Sequence, residues 1–214
     1  MEKTEKKMIY ERYIKRLLDV IFSMIFLIMF WWLYIIIALL VRIKLGAPIL
    51  FYQERIGVGE RPFKLFKFRS MSDEKDKHGE LLPDEMRLTN FGAKLRSSSL
   101  DELPEIISIL KGDMSIVGPR PMPCKYLKYF KDEERIIHTV KGGLLPPDVL
   151  TGHSVFDWDE QFRNEMEYAK NVSFIVDLKI IFATIKILFI RNKENYGGNM
   201  RRPLPEVRNT MFIN

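Results

Sequence analysis

The strongest pattern along the chain is an apolar run over residues 20–41, which contains no charged side chain in 22 positions. As a helix rising about 1.5 Å per residue, this run would be roughly 33 Å long, enough to cross the hydrocarbon core of a bilayer. It is too long, and too weakly followed by small residues, to be a cleavable signal peptide. The run therefore predicts a membrane-embedded helix, and the alternative is a fully buried core helix.

The path of this helix through the membrane is left open by its flanking charges. Basic residues stand at both ends, with Lys15 and Arg16 before the run and Arg42 and Lys44 after it. The positive-inside rule, by which cytoplasmic flanks carry more basic residues, therefore assigns no orientation to a single span. A helix that bends back usually contains a breaker, but the centre of this run is a tryptophan pair at residues 31–32. Both a spanning and a re-entrant helix remain compatible with the pattern.

The rest of the chain alternates short strands, helices and polar loops, which indicates a helix-rich α/β fold. The residues between 172 and 190 are apolar with lysines every seven positions, so this helix either packs on the core or lies in the membrane interface. The other segments follow from alternation, helical spacing and turn residues. They are strands at 49–53 and 63–68, a small apolar strand within 111–121, polar or irregular loops at 72–90 and 141–152, a charged stretch of helical character at 125–140, a helix at 158–170, and a loose tail at 192–214.

Two adjacent carboxylates, Asp101 and Glu102, begin a helical pattern that Gly112 ends. The spacing of Ser99 and Glu102 predicts a capping box, and Pro104 favours a regular helix that starts there, one turn later. An ionised aspartate near a helix N-terminus can attack an electrophile or hold a divalent metal ion. The alternative is that both acids only cap the helix.

Basic side chains suited to phosphate surround this stretch in the sequence. Lys67 and Arg69 stand at the end of a predicted strand, and Arg96 precedes the carboxylates by five residues. Arg120 lies between two prolines, whose fixed φ presents it on a stiff loop, and a preorganised arginine binds phosphate in a bidentate manner. A structural salt bridge is the alternative for Arg120.

Composition limits the partners and the metals. The 214-residue chain carries a net charge of +6, which favours anionic partners such as nucleotides and acidic lipids. One cysteine and three histidines do not form a zinc site of ordinary spacing, so any metal ion is a hard, oxygen-bound one such as Mg²⁺. The chain carries no nucleic-acid recognition motif, and the long apolar run argues against a nucleic-acid-binding protein.

Several motifs together resemble the bacterial sugar transferases of the monotopic phosphoglycosyl transferase superfamily, over roughly residues 12–190. The motifs occur in the family's order and at fitting spacing. They are Lys15-Arg16-Leu17-Leu18-Asp19, Lys67-Phe68-Arg69-Ser70-Met71, residues 96–104, residues 111–121, Tyr168-Ala169-Lys170-Asn171 and residues 173–180.

The resemblance implies a reaction and a location. A UDP-sugar would donate its phospho-sugar to polyprenyl phosphate (undecaprenyl phosphate) with release of UMP, through a covalent intermediate on Asp101, with Mg²⁺ as cofactor. The implied architecture is a re-entrant membrane helix within residues 1–45, a compact catalytic domain over 46–191 with interfacial amphipathic helices, and the tail at 192–214. The catalytic domain would lie on the cytoplasmic face of the bacterial inner membrane, in contact with phospholipids, and a homodimer is an allowed assembly.

The resemblance also assigns roles to individual residues. Asp101 would be the nucleophile and Glu102 a base, with both as metal ligands. Phosphate oxygens would be held by Lys67, Arg69, Arg96 and Arg120. The sequence departs from the family pattern in a loop that would contact nucleotide or sugar, in which the candidate residues are Lys141, Thr151 and His153. This departure is the one feature that favours a rival interpretation, a catalytically silent membrane scaffold or regulatory partner.

Overall fold

The computed structural model describes residues 8–152, 157–190 and 202–209. Within these ranges the fold is helix-rich α/β, as predicted. The helices are α1 (Lys15–Leu45), α2 (Asp84–Arg87), α3 (Asn90–Ser97), α4 (Glu105–Lys111), α5 (Trp158–Lys170), α6 (Phe174–Ile190) and α7 (Leu204–Asn209). The strands are β1 (Leu50–Ile56), β2 (Pro62–Phe68), β3 (Met114–Val117) and β4 (Gly142–Leu145).

Helix α1 contains the long apolar run and is continuous over 31 residues, preceded by a π-helical turn at Tyr10–Ile14. Among the described helices it is the one that is long and apolar enough to cross a membrane. Most of its apolar side chains, including Ile28, Trp31 and Ile43, are exposed. Because a buried core helix would cover these side chains, the structure favours membrane association over that alternative.

The chain divides into two compact units. The described residues of the first unit lie within Met1–Ile21, Glu54–Phe63 and Ile109–Asn214, and those of the second within Phe22–Gln53 and Lys64–Ser108. The strands β1 and β2 form the predicted two-stranded sheet, with a 3₁₀ turn at Val58–Glu60 in the connection.

The first unit is built around a parallel pair of strands and two apolar clusters. Strand β3 pairs with β4, with Met114 opposite Gly142 and Val117 opposite Leu145. The prediction of an irregular loop over 141–152 is therefore wrong for its first half. The paired glycines explain the difference, because a Cβ on Gly143 would lie 2.0 Å from the Gly118 nitrogen. Glycines, which usually indicate a turn, here allow β3 and β4 to come close together because they have no side chain.

Two segments of the first unit differ from their predicted structure. The charged stretch at 125–140 has the helical character expected of it, but as two 3₁₀ runs at Cys124–Tyr129 and Asp132–Thr139 rather than one regular helix. Helix α7 lies in the segment that composition indicated as a loose tail, and its Leu204 is fully buried against Phe130 and Phe162. Tertiary burial of one leucine face therefore overrides the Gly- and Pro-rich composition.

The second unit packs one face of α1 against β2 and α3. Ile37, Val41, Phe68 and Leu95 are buried together, and Leu100 and Leu103 pack at the edge of this cluster. The residues that flank the Asp-Glu pair thus belong to the same core as the second half of the apolar helix.

Candidate active site

The Asp-Glu pair lies in a strained turn. Leu100–Glu102 forms a 3₁₀ turn, and α4 begins at Glu105 directly after Pro104. Ser99, before the turn, adopts left-handed backbone angles (φ 56°) and makes no side-chain capping bond, so the predicted capping box is wrong. The Glu102 side chain is instead bonded to Lys67. A non-glycine residue held in this conformation is typical of functional sites.

Asp101 is 7% exposed, the more buried member of the pair. Burial raises its pKa, and so does the neighbouring Glu102 carboxylate, while the charges of Lys67 and Arg96 lower it. A partly desolvated carboxylate is a better nucleophile than a hydrated one, and the two cations keep its ionised form accessible.

Lys67 connects the pair to α4. Its Nζ lies 2.6 Å from Glu102 Oε1 and 3.1 Å from Glu105 Oε1. Burial opposes the charged ammonium, but the carboxylates of Glu105 and Glu102 raise the pKa of Lys67 overall. The ammonium therefore stays charged and holds Glu102 in one orientation beside Asp101.

Arg96 is positioned by the loop after β2. Its Nε donates to Ser70 Oγ at 2.8 Å, while the guanidinium remains exposed. Gly92, one turn earlier in α3, lies against the Ser70 backbone, where an added Cβ would be 1.7 Å from the carbonyl oxygen. The glycine therefore permits the close contact that places Ser70 under Arg96.

Arg69 is turned to the end of α1. Its buried guanidinium donates to the Leu45 and Ala47 carbonyls and to Asp73. The structure thus brings Lys67 and Arg96 to the Asp-Glu pair and uses Arg69 to cap the C-terminus of the apolar helix.

The apolar helix also contacts the segment that follows the Asp-Glu pair. The Tyr34 hydroxyl, in α1, donates to the Leu103 carbonyl at 2.7 Å. Since Leu103 immediately follows the Asp-Glu pair, this hydrogen bond joins the apolar helix directly to the segment that carries the carboxylates.

In the first unit, the loop that carries Arg120 is anchored through its backbone. The Arg120 amide donates to Glu165 Oε1 at 3.0 Å, and Gln161 Nε2 donates to the same oxygen at 2.8 Å. Burial raises the pKa of Glu165 to about 7. The Arg120 side chain itself is exposed, as expected of a group that binds a ligand.

The burial of Glu165 predicts a pH-dependent stability. Because the folded state binds the Glu165 proton more tightly than the unfolded chain does, the free energy of unfolding falls as the pH rises from about 4.5 to about 7. Between pH 5 and 8 the wild type should lose roughly 2–3 kcal/mol of unfolding free energy through this group. The variant Glu165→Gln, which has no carboxyl to titrate, should not show this loss. Thermal unfolding at both pH values measures it, with the exposed Glu167→Gln on the same helix as control. Equal pH dependence in wild type and Glu165→Gln would contradict the prediction.

The three loop candidates are treated differently by the structure. Lys141 lies directly before β4, half-buried, and Thr151 ends a 3₁₀ turn in which its hydroxyl donates to the Asp148 carbonyl at 2.8 Å. His153 lies outside the described residues. Nucleotide or sugar binding by Lys141 and Thr151 stays a prediction.

Comparisons with known proteins give the family of the chain. The family model described as "Bacterial sugar transferase" matches residues 10–191. The chain belongs to the bacterial sugar transferase family. This confirms the resemblance drawn from the motifs, and with it the assignment to enzymes of the phosphoglycosyl transferase type.

Three relatives illustrate the range of this sugar transferase family. "Uncharacterized sugar transferase EpsL" of Bacillus subtilis (strain 168) is 42% identical over 150 residues, which cover 70% of this chain and 74% of the relative. A UDP-N-acetylgalactosamine-undecaprenyl-phosphate N-acetylgalactosaminephosphotransferase of Aeromonas hydrophila is 33% identical over 82% of this chain. A UDP-glucose:undecaprenyl-phosphate glucose-1-phosphate transferase of Klebsiella pneumoniae is 34% identical over 85% of it. This sugar transferase spans 44% and 41% of the lengths of the last two.

The donor set of the sugar transferase fits Mg²⁺ bound together with a substrate. Within the described ranges no group of three or more His, Cys, Asp or Glu side chains is arranged to hold a metal ion alone. Mg²⁺ in phosphoryl-transfer sites is usually bound by one or two carboxylates plus substrate phosphates. Asp101 and Glu102 supply two such carboxylates, so their hard oxygens fit the ion.

Three members of the site were not found from the sequence: Glu105, Ser70 and Tyr34. Glu105 follows Glu102 by three residues, a helical spacing that could have indicated a shared partner. Ser70 and Tyr34 act through contacts distant in the sequence, for which no local pattern exists.

Proposed function

We propose that this protein transfers a phospho-sugar from a UDP-sugar to a membrane polyprenyl phosphate, undecaprenyl phosphate in bacteria, and releases UMP. The observation that carries the proposal is the cluster of Asp101, Glu102, Lys67 and Arg96 in a chain of this family. The names of the relatives from Aeromonas hydrophila and Klebsiella pneumoniae support this donor and acceptor class. Their donors differ in the sugar, so the sugar is left open.

The reaction proceeds in two displacements. A carboxylate oxygen of Asp101 attacks the phosphorus that bears the sugar, and the bond from this phosphorus to the bridging oxygen breaks, so UMP leaves. A phosphate oxygen of the polyprenyl phosphate then attacks the same phosphorus, which breaks the acyl-phosphate bond and restores the Asp101 carboxylate. The product is a polyprenyl-diphosphate-sugar, the first membrane-bound intermediate of glycan assembly.

The other residues of the site orient groups and stabilise charge. Lys67 holds Glu102 beside Asp101, and Arg96 and Arg120 bind phosphate oxygens as negative charge shifts during transfer. Asp101 and Glu102 would hold Mg²⁺, which when bound neutralises charge on the pyrophosphate. Arg69 supports the site indirectly, since it fixes the loop after β2 to the end of α1.

We infer that both ends of α1 lie on the cytoplasmic face of the inner membrane, so that the helix is re-entrant. Arg16, near the start of α1, donates to the Ile109 and Leu110 carbonyls at 2.5 and 2.6 Å. At the other end of α1, the Leu45 carbonyl accepts from Arg69. The described chain from 69 to 110 contains no helix apolar enough to cross a membrane. This supports a common side for residues 16 and 45. The exposed apolar side chains of α6, with Lys179 and Lys186, support an interfacial position for that helix.

The re-entrant path predicts labelling from one side only. In a Cys124→Ser background, single cysteines at Met8 and Leu81, both exposed, should react with an impermeant maleimide in inverted vesicles. Neither should react in intact spheroplasts, and both should react after detergent is added. Labelling of the two positions from opposite sides would show that α1 spans the membrane.

The proposed reaction is tested by incubating the purified protein with Mg²⁺ and a panel of UDP-sugars, without acceptor, and measuring its intact mass. A gain equal to one phospho-sugar is expected with the correct donor, and UMP should appear in equal amount. Polyprenyl phosphate should then discharge the adduct. Neither adduct nor turnover with any donor would favour the silent-scaffold interpretation.

Loss of the Arg120 side chain should slow transfer without loosening its loop. In Arg120→Ala the backbone amide can still donate to Glu165, so the anchor of the loop is retained. Removing one electrostatic donor should reduce transition-state stabilisation by about 2–4 kcal/mol. Steady-state turnover gives the change in kcat/KM, and thermal unfolding checks the fold. An unchanged kcat/KM would make Arg120 a structural residue.

A further inference from the structure

The first unit contains a cavity of about 580 Å³ at the start of the apolar helix. Its walls come from residues 8–19, from Val58, from the segment 139–141 that enters β4, and from Tyr168 of α5 and Val172 beyond its end. Six of the lining side chains carry charges. They are the cations Arg12, Lys15, Arg16 and Lys141 and the carboxylates Glu11 and Asp19.

The contacts of these groups leave an excess of positive charge. Lys15 Nζ is paired with Asp177 Oδ2 at 2.5 Å. The Asp19 carboxylate accepts from the Ser115 hydroxyl at 3.0 Å and from the Ile116 amide at 2.9 Å, both on β3. Arg16 donates to two main-chain carbonyls, which do not neutralise its charge.

Arg12 and Lys141 form no ion pair with a carboxylate anywhere in residues 8–152, 157–190 and 202–209. Arg12 lies over the Tyr13 ring, 5.8 Å from its centroid. Lys141 is half-buried. Both it and Arg16 approach Gly112: a Cβ added to this glycine would lie 3.7 Å from Lys141 Nζ and 3.4 Å from an Arg16 guanidinium nitrogen. Burial lowers the pKa of Lys141 and the charge of Arg16 lowers it further, while the carboxylates of Asp19 and Asp113 offset part of this shift. The fold thus holds like charges close together, an arrangement that an anion would stabilise.

The remaining walls are mainly apolar. Met8, Ile9, Val140 and Val172 line the cavity together with the rings of Tyr13 and Tyr168. The cavity therefore presents cations and hydrocarbon to one ligand, at the end of a helix that is itself apolar and exposed. A free inorganic anion would use only the cations, whereas a lipid with an anionic headgroup would use both.

We propose that this cavity binds the phosphate of a lipid, with Arg12 and Lys141 at the headgroup and the apolar wall along the chain. Two lipids carry this chemistry, an anionic phospholipid and a polyprenyl phosphate. The second source rests on the proposed transfer reaction, while the first does not. The readout is lipid binding rather than turnover, so failure of one proposal is distinguishable from failure of the other.

The test compares two double variants with the same loss of charge. Arg12→Gln/Lys141→Gln removes the two cavity cations that pair with no carboxylate among the described residues, and Lys125→Gln/Lys170→Gln removes two exposed lysines of the same unit outside the cavity. The 214-residue chain in detergent micelles is titrated with phosphatidylglycerol, phosphatidylcholine or undecaprenyl phosphate. Native mass spectrometry gives the apparent Kd for each lipid.

The cavity variant should bind phosphate lipids roughly 25-fold more weakly, since each basic residue near an anionic lipid contributes about a factor of five. The control variant should stay within about twofold of wild type. Loss confined to phosphatidylglycerol identifies a phospholipid, and loss confined to undecaprenyl phosphate identifies the acceptor lipid. Lys141→Arg should retain binding, because it keeps the charge. Wild-type affinity of the cavity variant for both lipids, or equal loss in both double variants, would overturn the proposal.

Discussion

Asp101→Asn should abolish transfer, with a fall in turnover of about 10⁴-fold or more and no covalent adduct on the protein. The amide has nearly the shape of the carboxylate but no negative oxygen to attack phosphorus. Burial raises the pKa of Asp101, and the charges of the two neighbouring cations lower it. An uncharged side chain at this position removes the proposed nucleophile and one proposed metal ligand together.

Intact-mass measurement with the correct UDP-sugar separates this role from a structural one. The matched control is Asp84→Asn, the same chemical change at an exposed carboxylate of the second unit, which should form the adduct at the wild-type rate. Thermal unfolding of both variants shows whether the fold is retained. A phospho-sugar adduct on Asp101→Asn at wild-type yield would remove Asp101 from the mechanism and assign the covalent step to another nucleophile.

Arg208→Met should destabilise the protein by roughly 3–5 kcal/mol. Arg208, in α7, is 2% exposed and donates to both oxygens of Glu134, which is 3% exposed, at 2.7 Å each. It also donates to the Tyr129 carbonyl and to Asp159. Methionine would leave the Glu134 carboxylate buried without its partner, and an unpaired buried charge is far more costly than a lost surface contact.

The size of the effect is measured by thermal or denaturant unfolding of the full chain in micelles. Arg163→Met, an exposed arginine on α5, is the control and should change the stability by less than about 0.5 kcal/mol. The double variant Glu134→Leu/Arg208→Met should recover much of the loss, since an apolar pair of similar volume can replace a buried ion pair. A loss in the double variant as large as in Arg208→Met would assign the effect to packing rather than to charge.

Residues close together in the sequence were predicted well. The apolar run, the β1–β2 pair, the strand β3 and the helix α5 each follow from periodicity within one element, and the structure confirms them. The helix of the Asp-Glu segment begins just after Pro104 and ends before Gly112, as backbone preferences require. The family was found in the same way, because its motifs are short and ordered along the chain.

Predictions failed where one segment's conformation depends on a distant one. Gly142 and Gly143 are residues typical of a loop, but they form part of a strand because they pair with β3. Ser99 and Glu102 have the spacing of a capping box, but Lys67 takes the Glu102 carboxylate from another element. A local hydrogen bond is worth about as much as a distant one, so an ion pair formed on folding can displace it.

The sequence by itself determined the long apolar helix, the order of the elements, the family and the position of the carboxylate pair, because each depends on neighbouring residues or on an ordered motif. Only the tertiary structure decided which cation meets which carboxylate. Lys67 lies beside Glu102 and Glu105, Arg69 is turned to the end of α1, and Lys141 lies in a basic cavity. Charge pairing is set by which elements pack together, and this packing arises from contacts between residues far apart in the chain.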